Sequence, residues 1–289
     1  MPDGSNPQED SRFGLSRQIH LPVDGKRLVI SDDAYSDRVR CDHPELRDGE
    51  SVGRTLLMVA DALDRSRIVV LAEERLREGL AKTGFEEEAT MPGFYEGERD
   101  CVVMGLARTR ARAGASNPDA VEAVNALVRT KRAEPAPAFE TRRATVEDAP
   151  ELAQLLGETF AQYPTPSDDA RYVAKQIEEG TPFRVVDGDG EIIACASADL
   201  VREAKTAELT DCATRPEARG NGLMRRLLAD LMEDLRDMDY PTAFTLARAR
   251  IPGINIAFAR LGFELRGRMD QSCRIGDGLE DMNVWSRAL

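Results

Sequence analysis

The sequence predicts an α/β (α+β) chain built as two units, and three observations predict it. Strand-like segments at 183–186 and 191–199 flank the turn Asp187-Gly188-Asp189-Gly190, the signature of a hairpin. A long amphipathic helix at 223–238 lies between strand patterns at 206–214 and 242–249. The stretch AEPAPA at 133–138 carries Pro135 and Pro137, which block helix and leave an extended linker. A chain of 289 residues also exceeds the usual single-domain size.

Taken in order, 1–12 reads as a polar tail and 13–132 as an N-terminal α/β unit. That unit carries a helix at 52–63 and a strand at 68–71. Asn117-Pro118-Asp119 opens a further helix, with Asn as cap and Pro in the first turn, running through Val121, Val124, Leu127 and Val128. After the linker, the C-terminal unit spans 139–289. A strand is expected at 139–143, then a helix capped by Thr145 with Leu152, Leu155, Leu156 and Phe160 on its apolar side, then a second helix at 169–179. The hairpin follows, then the strand at 206–214. The helix at 223–238 shows Leu223, Met224, Leu227, Leu228, Leu231, Met232, Leu235 and Met238 on one face. A helix at 255–261 ends at Gly262, a natural C-terminal cap, and two strands flank Gly276-Asp277-Gly278. A faint repeat connects 76–86 with 254–264, each closing on Gly-Phe-Glu and each preceded by an amphipathic helix and a strand. The N-terminal unit is either a degenerate half-copy of the C-terminal one or a chance likeness of two helix–turn–strand units.

Composition excludes several function classes. The net charge of −13 repels nucleic acid phosphates and anionic membranes, so neither partner is expected. No apolar run is long enough to span a bilayer, and the polar start lacks the pattern of a signal peptide, so a cytoplasmic protein is expected. Lysine occurs five times while arginine supplies 34 of the 39 basic residues. An acid-rich, lysine-poor surface suits a salt-rich interior, whose screening weakens self-repulsion; a GC-rich genome would account for the arginine alone. Five scattered cysteines and two histidines form neither a disulfide framework nor a metal site.

The segment that carries chemistry is the strand 206–214, the loop Arg215-Pro216-Glu217-Ala218-Arg219-Gly220-Asn221-Gly222-Leu223-Met224, and the helix it opens. Amides of a first helical turn lack internal partners, and Gly220 and Gly222 remove side chains where a phosphate must approach the backbone. Arg219-Gly220-Asn221-Gly222 after Pro216-Glu217 resembles the pyrophosphate loop of the GNAT superfamily of acyl-CoA N-acyltransferases. NIAFARLGF at 255–263 is similar to that superfamily's following helix, and 142–149 to its first strand and helix. Further segments (159–164, 207–214, 246–249 with Asn255, and 281–285) resemble the β-lysine N-acetyltransferases within it.

The resemblance implies a mixed, mostly antiparallel sheet flanked by helices. It implies acetyl-CoA as co-substrate, no metal, and β-lysine as the small-molecule amine, giving N6-acetyl-β-lysine, a compatible solute. Arg219, Gly220, Asn221, Gly222, Leu223 and Met224 are expected to hold the pyrophosphate, with Cys212, Ala213 and Thr214 along the acetyl group and backbone N–H near Ala213 and Thr214 holding the oxyanion. Asn255 is expected to contact the pantetheine arm or to fix the neighbouring strand, and Phe258 to line the cofactor. Two departures stand out: Met224 where the loops usually carry Gly or Ala, and Phe258 where many members carry a proton-donating Tyr.

A lysine-like amine, with a pKa of about 10.4, needs a base before it can attack a thioester. Glu208 is expected as that base and Asp211 as a substrate or structural ligand. They would face opposite sides of a regular strand, unless the bulge usual in GNAT strands breaks the alternation. Tyr163 and Asp199 are candidates for the second amine and Arg248 for the carboxylate. Two alternatives stay open: an acetyltransferase for another small amine or diamine, and an acyl-CoA-binding sensor without catalysis. A homodimer is compatible with the sequence, which does not fix the oligomeric state.

Overall fold

Thirteen strands join in one sheet whose order reads β1-β2-β3-β4-β6-β5-β12-β13-β11-β10-β9-β8-β7 in the computed structural model, which describes residues 16–160, 165–276 and 278–289. The first half holds β1 (Ser16–Val23), β2 (Lys26–Asp33), β3 (Arg38–Asp42), α1 (Gly49–Ala62), β4 (Arg67–Glu73), α2 (Arg77–Lys82), β5 (Glu86–Tyr95) and β6 (Arg99–Ala107). Then come α3 (Pro118–Arg129), β7 (Arg142–Arg143), α4 (Ala149–Thr159) and α5 (Ala170–Glu178). The chain closes with β8 (Phe183–Gly188), β9 (Glu191–Val201), β10 (Thr206–Thr214), α6 (Leu223–Asp237), β11 (Thr242–Arg248), α7 (Pro252–Arg260), β12 (Glu264–Ile275) and β13 (Gly278–Ala288).

The sheet is one pattern read from both ends toward the β5–β12 seam. In each half two antiparallel strands lead to a third, which pairs parallel with the strand after the helix. A closing hairpin then inserts its second strand beside that one. The N-terminal six strands thus repeat the order of β8 to β13, beyond the helix–turn–strand unit in which the sequence shows a likeness. Glycine makes the seam: Gly267 pairs with Ala89, and a Cβ at Gly267 would lie 2.0 Å from the Glu88 carbonyl oxygen.

Local chemistry explains the well-read elements. Asp189 and Gly190 both take positive φ, the two-residue turn that matches strand twist. Thr145 and Asp148 form a reciprocal capping box ahead of α4. Leu227, Leu228, Leu231 and Leu235 of α6 are fully buried against β8, β9 and β10. Asp234 on the same helix is buried too, answered by Arg184 at 2.7 Å and Arg143 at 2.5 Å.

Two expectations need correction. The strand at 139–143 shrinks to Arg142–Arg143, paired with β8. The helix after Asn117, assigned to the N-terminal unit because the prolines follow it, packs on α7, and its Val124 and Val128 enter the same core as α6. The stretch beyond it does not hang between units either: Glu134 pairs with Arg225 and Arg260, and its amide bonds the Arg260 carbonyl.

Burial divides by face. Ala207, Leu209 and Ala243 join the core under α6, while Val39, Cys41, Ile68 and Val70 join one under α1. The opposite faces of both halves share a third core holding Val69, Leu71, Phe94, Phe244, Met269, Met282 and Val284. The two repeats therefore pack inner face to inner face, and α4 and α5 cover the rest of that face over β8 and β9.

Candidate active site

The site is set by where two parallel strands part. β10 and β11 pair at Thr206–Thr242, Ala207–Ala243 and Glu208–Phe244, after which β10 continues to Thr214 and β11 to Arg248 without pairing. Glu208 stands at the vertex, the last position at which the two strands pair, with Phe244 as its partner. Beyond it the edges of Leu209 to Thr214 and of Thr245 to Arg248 face an opening between the strands.

At the end of that opening lies the mouth of α6. Gly222 is its N-cap at φ 83°, with no capping side chain. The first-turn amides of Leu223, Met224 and Arg225 therefore meet no side-chain acceptor from the cap. A Cβ on Gly220, at φ 84°, would meet nothing within 4 Å, so backbone lies open there. Asn221 donates to the Ala218 carbonyl and Arg219 to the Thr214 carbonyl, which fixes the loop. Leu223 begins the helix as expected and Met224, in place of a small residue, does not displace the start. These residues fit a pyrophosphate: an α6 mouth with no side-chain cap, open backbone at Gly220, and the Arg219 guanidinium beside it, with the Pro137 ring against Gly222.

The N-terminal repeat has the same elements without the opening. β3 and β4 stay paired along all five positions from Arg38–Arg67 to Asp42–Leu71, and the His43 amide continues the zipper to Leu71. The mouth of α1 is filled: Asp48 accepts the Glu50 amide at 2.9 Å, and Gly49 presses on Leu76 and Gly79 so closely that a Cβ would lie 2.3 Å from the Leu76 oxygen. An acidic cap is the reverse of an anion site.

Glu208 and Asp211 are brought to one face by a bulge. The register to β9 shifts between Thr210 and Ala213, and Asp211 takes φ 48°. Its carboxylate reaches back to Ser197 Oγ at 2.8 Å and Ser167 Oγ at 3.3 Å. Ser197 pairs with Thr210, and Asp199 pairs with Glu208, so Glu208, Asp199 and Asp211 share the inner face.

Electrostatics follows from that crowding. Burial, opposed by Arg40 and assisted by Asp42 and Asp211, pushes Glu208 up to about 7. Burial beside Asp211 and Glu208 holds Asp199 well above the usual carboxylate range. Burial raises Asp211 as well, partly offset by its two serines. Among the described residues no hydrogen bond or ion pair reaches the Asp199 carboxylate. Tyr172 of α5 flanks the trio, and burial next to Asp199 raises its phenol.

Other expected residues are placed as follows. Tyr163 lies outside the described residues. Cys212 and Thr214 are half-buried on β10, and the Ala213 side chain is buried. Arg248 lies over the Phe160 ring at 5.9 Å, with Glu280 4.0 Å away. Asn255 is fully buried: it donates to the Arg248 and Ile251 carbonyls and accepts from Asn283 and Trp285. Of its two expected roles, that geometry is strand-fixing. Phe258 is a correction: its ring has no exposed surface and packs edge-on against Phe263, so it is core rather than a cofactor-lining surface. Sequence reasoning missed Ser167, Ser197 and Tyr172, and missed Arg40 and Asp42, which arrive from the other repeat.

Comparison with known proteins fits this geometry. Residues 149–263 match the model of the acetyltransferase (GNAT) family. N-acetyltransferase YodP of Bacillus subtilis is 31% identical over 271 residues, covering 92% of this chain and 97% of its own. A β-lysine N6-acetyltransferase of Methanosarcina mazei is 38% identical over 151 residues, covering 52% of this chain and 56% of its own, and one of Methanococcus maripaludis is 25% identical over 272 residues, covering 92% and 97%. With its sheet, its parted strands and a full-length relative of that kind, the chain belongs to the GNAT acetyltransferase family, and it is an N-acetyltransferase.

Proposed function

We propose that this enzyme moves the acetyl group of acetyl-CoA to the terminal amine of β-lysine, giving N6-acetyl-β-lysine. The observation that carries the reading is the trio Glu208, Asp199 and Asp211. Three carboxylates crowd one face, each pushed toward its neutral form, and no ion pair reaches Asp199 among the described residues. Such a site gains most from a ligand bearing two positive charges. The likeness to β-lysine N6-acetyltransferases along the chain supports the same substrate.

Acetyl-CoA supplies the thioester; Arg219 to Met224 would hold its pyrophosphate at the α6 mouth, with the acyl arm along the β10 edge. Glu208 takes a proton from the incoming ammonium, and the freed amine attacks the thioester carbonyl. The C–N bond forms, the nitrogen gives its second proton to solvent, the C–S bond breaks, and the sulfur leaves as thiolate and picks up a proton. Asp199 and Asp211 hold the second ammonium. Phe258 has no proton to give, so the thiolate's proton comes from solvent or from Glu208. The product has zero net charge, as suits a compatible solute, and the acid-rich composition fits a cytoplasm with high salt.

Thiol release from acetyl-CoA, followed across an amine panel in high salt, tests this. We expect kcat/KM for β-lysine to exceed that for hexylamine by roughly 100-fold or more, since each desolvated charge pair contributes about 1.5–3 kcal/mol. Equal rates for monoamines would refute the substrate, and tight CoA binding without turnover of any amine would refute the enzyme.

A further inference from the structure

The two repeats put opposite charges at equivalent positions. The parallel pairs begin at Arg38–Arg67 and at Thr206–Thr242, and the partners of Arg67 and Thr242 on the next strand are Ala107 and Ala288. Counting from those starts, Arg40 of β3 is the counterpart of Glu208 of β10. Arg40 pairs with Val69 and Glu208 with Phe244, and both partners belong to the shared inner core. In-register partners of a parallel pair point the same way, so Arg40 and Glu208 look toward each other from facing sheets. The alternate residues confirm the facing: Val39 and Cys41 enter the core under α1, and Ala207 and Leu209 the core under α6.

Arg40 is also half committed. Its Nε donates to Asp42 at 2.8 Å, and its side chain is 21% exposed. Among the described residues nothing accepts from Nη1 or Nη2, the pair that makes a fork. Arg248, by contrast, is turned to Phe160 and Glu280.

Building on the acceptor site proposed above, we infer that Arg40 holds the carboxylate of the acceptor amino acid, and that the N-terminal repeat serves as the far wall that selects amino acids over plain diamines. Asp42 holds the guanidinium by Nε, and the Nη edge meets the carboxylate. The ammonium groups then point across to the trio on β9 and β10. This gives the zipped repeat a role without a cofactor of its own.

The test compares β-lysine with pentane-1,4-diamine, which is β-lysine without its carboxylate, using the full-length enzyme and Arg40→Met, Arg40→Lys and Arg248→Met. We expect wild type to favour β-lysine strongly, and Arg40→Met to lower that preference by roughly 10–100-fold, mainly through KM for β-lysine. Arg40→Lys, which keeps the charge and loses the fork, should fall between. Turnover of the diamine by the same preparation reports that the variant is folded. Because Arg40 holds down the proton affinity of Glu208, the acid limb of the Arg40→Met pH profile should move to higher pH for both amines, so the preference is read on the plateau above it. An unchanged preference, an equal loss for both amines, or a preference that collapses in Arg248→Met instead would overturn the inference while leaving the acetyltransferase reading intact. A wild-type enzyme that turns over neither amine would overturn both.

Discussion

Glu208→Gln removes the proposed base while keeping its shape. With Glu208 pushed up to about 7 by burial, the sign is fixed: the base works ionised, so kcat/KM rises as pH climbs through about 7 and levels above it. At pH 6 roughly one tenth of the carboxylate is ionised, so the rate should be about a tenth of the plateau. In the Gln variant that limb disappears. Only free amine can react, about one molecule in a thousand at pH 7.5 for an amine of pKa near 10.4. A loss of about 10²–10³ at pH 7.5 is therefore expected, shrinking about tenfold per pH unit toward the amine pKa. Stability moves the other way. A carboxyl whose folded pKa is raised contributes stability at pH below its unfolded value, near 4.5, and loses it as pH rises through about 7. Glu208→Gln should thus be more stable than wild type at pH 8, by about 1–3 kcal/mol, with the gap closing near pH 4. Thiol-release kinetics across pH 5.5–9 (assay settings of about that span) and urea titrations at both ends read the two effects. A variant within twofold of wild type at pH 7.5, or one that keeps the limb near 7, refutes the base.

Other substitutions probe separate parts. Gly222→Ala places a Cβ 2.9 Å from Pro137 at a residue with φ 83°; CoA affinity by calorimetry should drop about tenfold or more, given about 1–2 kcal/mol of left-handed strain alone. Asp199→Asn should raise KM for β-lysine by roughly tenfold and leave hexylamine kinetics little changed, read in the same assay. Asn255→Ala removes four buried hydrogen bonds, and leaves the Trp285 Nε1–H without its acceptor; urea unfolding should show a loss of about 3 kcal/mol or more, while CoA affinity of the folded enzyme stays close to wild type. Asp48→Ala should cost about 1 kcal/mol in stability, and calorimetry on wild type should find one CoA per chain; a second site at the α1 mouth would contradict the zipped-repeat account.

What the sequence made legible was mostly local. The strand Thr206–Thr214, the turn at Asp189-Gly190 and the leucine face of α6 follow from short-range rules, and each appears where alternation, turn chemistry or helical period puts it. The bulge at Asp211 came through resemblance, since nothing in the residues themselves announces it. Long-range facts were not legible. Prolines at 135 and 137 do break helix, but breaking a helix is not ending a domain, and Val124 and Val128 show which core α3 serves. Asn255 reads on paper as a polar residue near a cofactor; only the placement of Asn283 and Trp285 shows its amide consumed by protein. Arg40 gave no signal in its own neighbourhood. The repeat at 76–86 and 254–264, carried backward without gaps, would put it at Ala218; only the strand pairing sets it at the position of Glu208.

That opposition bears on why the second repeat persists at all. Its β3–β4 pair is closed and its α1 mouth is capped by the Asp48 carboxylate, so it offers no slot for a thioester and a negative charge where a phosphate would sit. The same closure makes it rigid, and rigidity is what a specificity wall needs, because a carboxylate ligand held loosely selects little. Val69 and Leu71, the partners of Arg40 and Asp42, are locked with Phe94 and Phe244 in the shared core, and the Arg38 guanidinium bonds Ser272 on β12 at 2.7 Å. The distance from the guanidinium to the base is thereby fixed by packing rather than by a loop. An amine that reaches Glu208 while its carboxylate sits on Arg40 must then have a particular length. Lengthening the acceptor by one methylene should cost about tenfold in kcat/KM, whereas the same change in a plain diamine should cost little. If both series tolerate the extra methylene equally, the wall is not measuring the substrate and the carboxylate is held elsewhere.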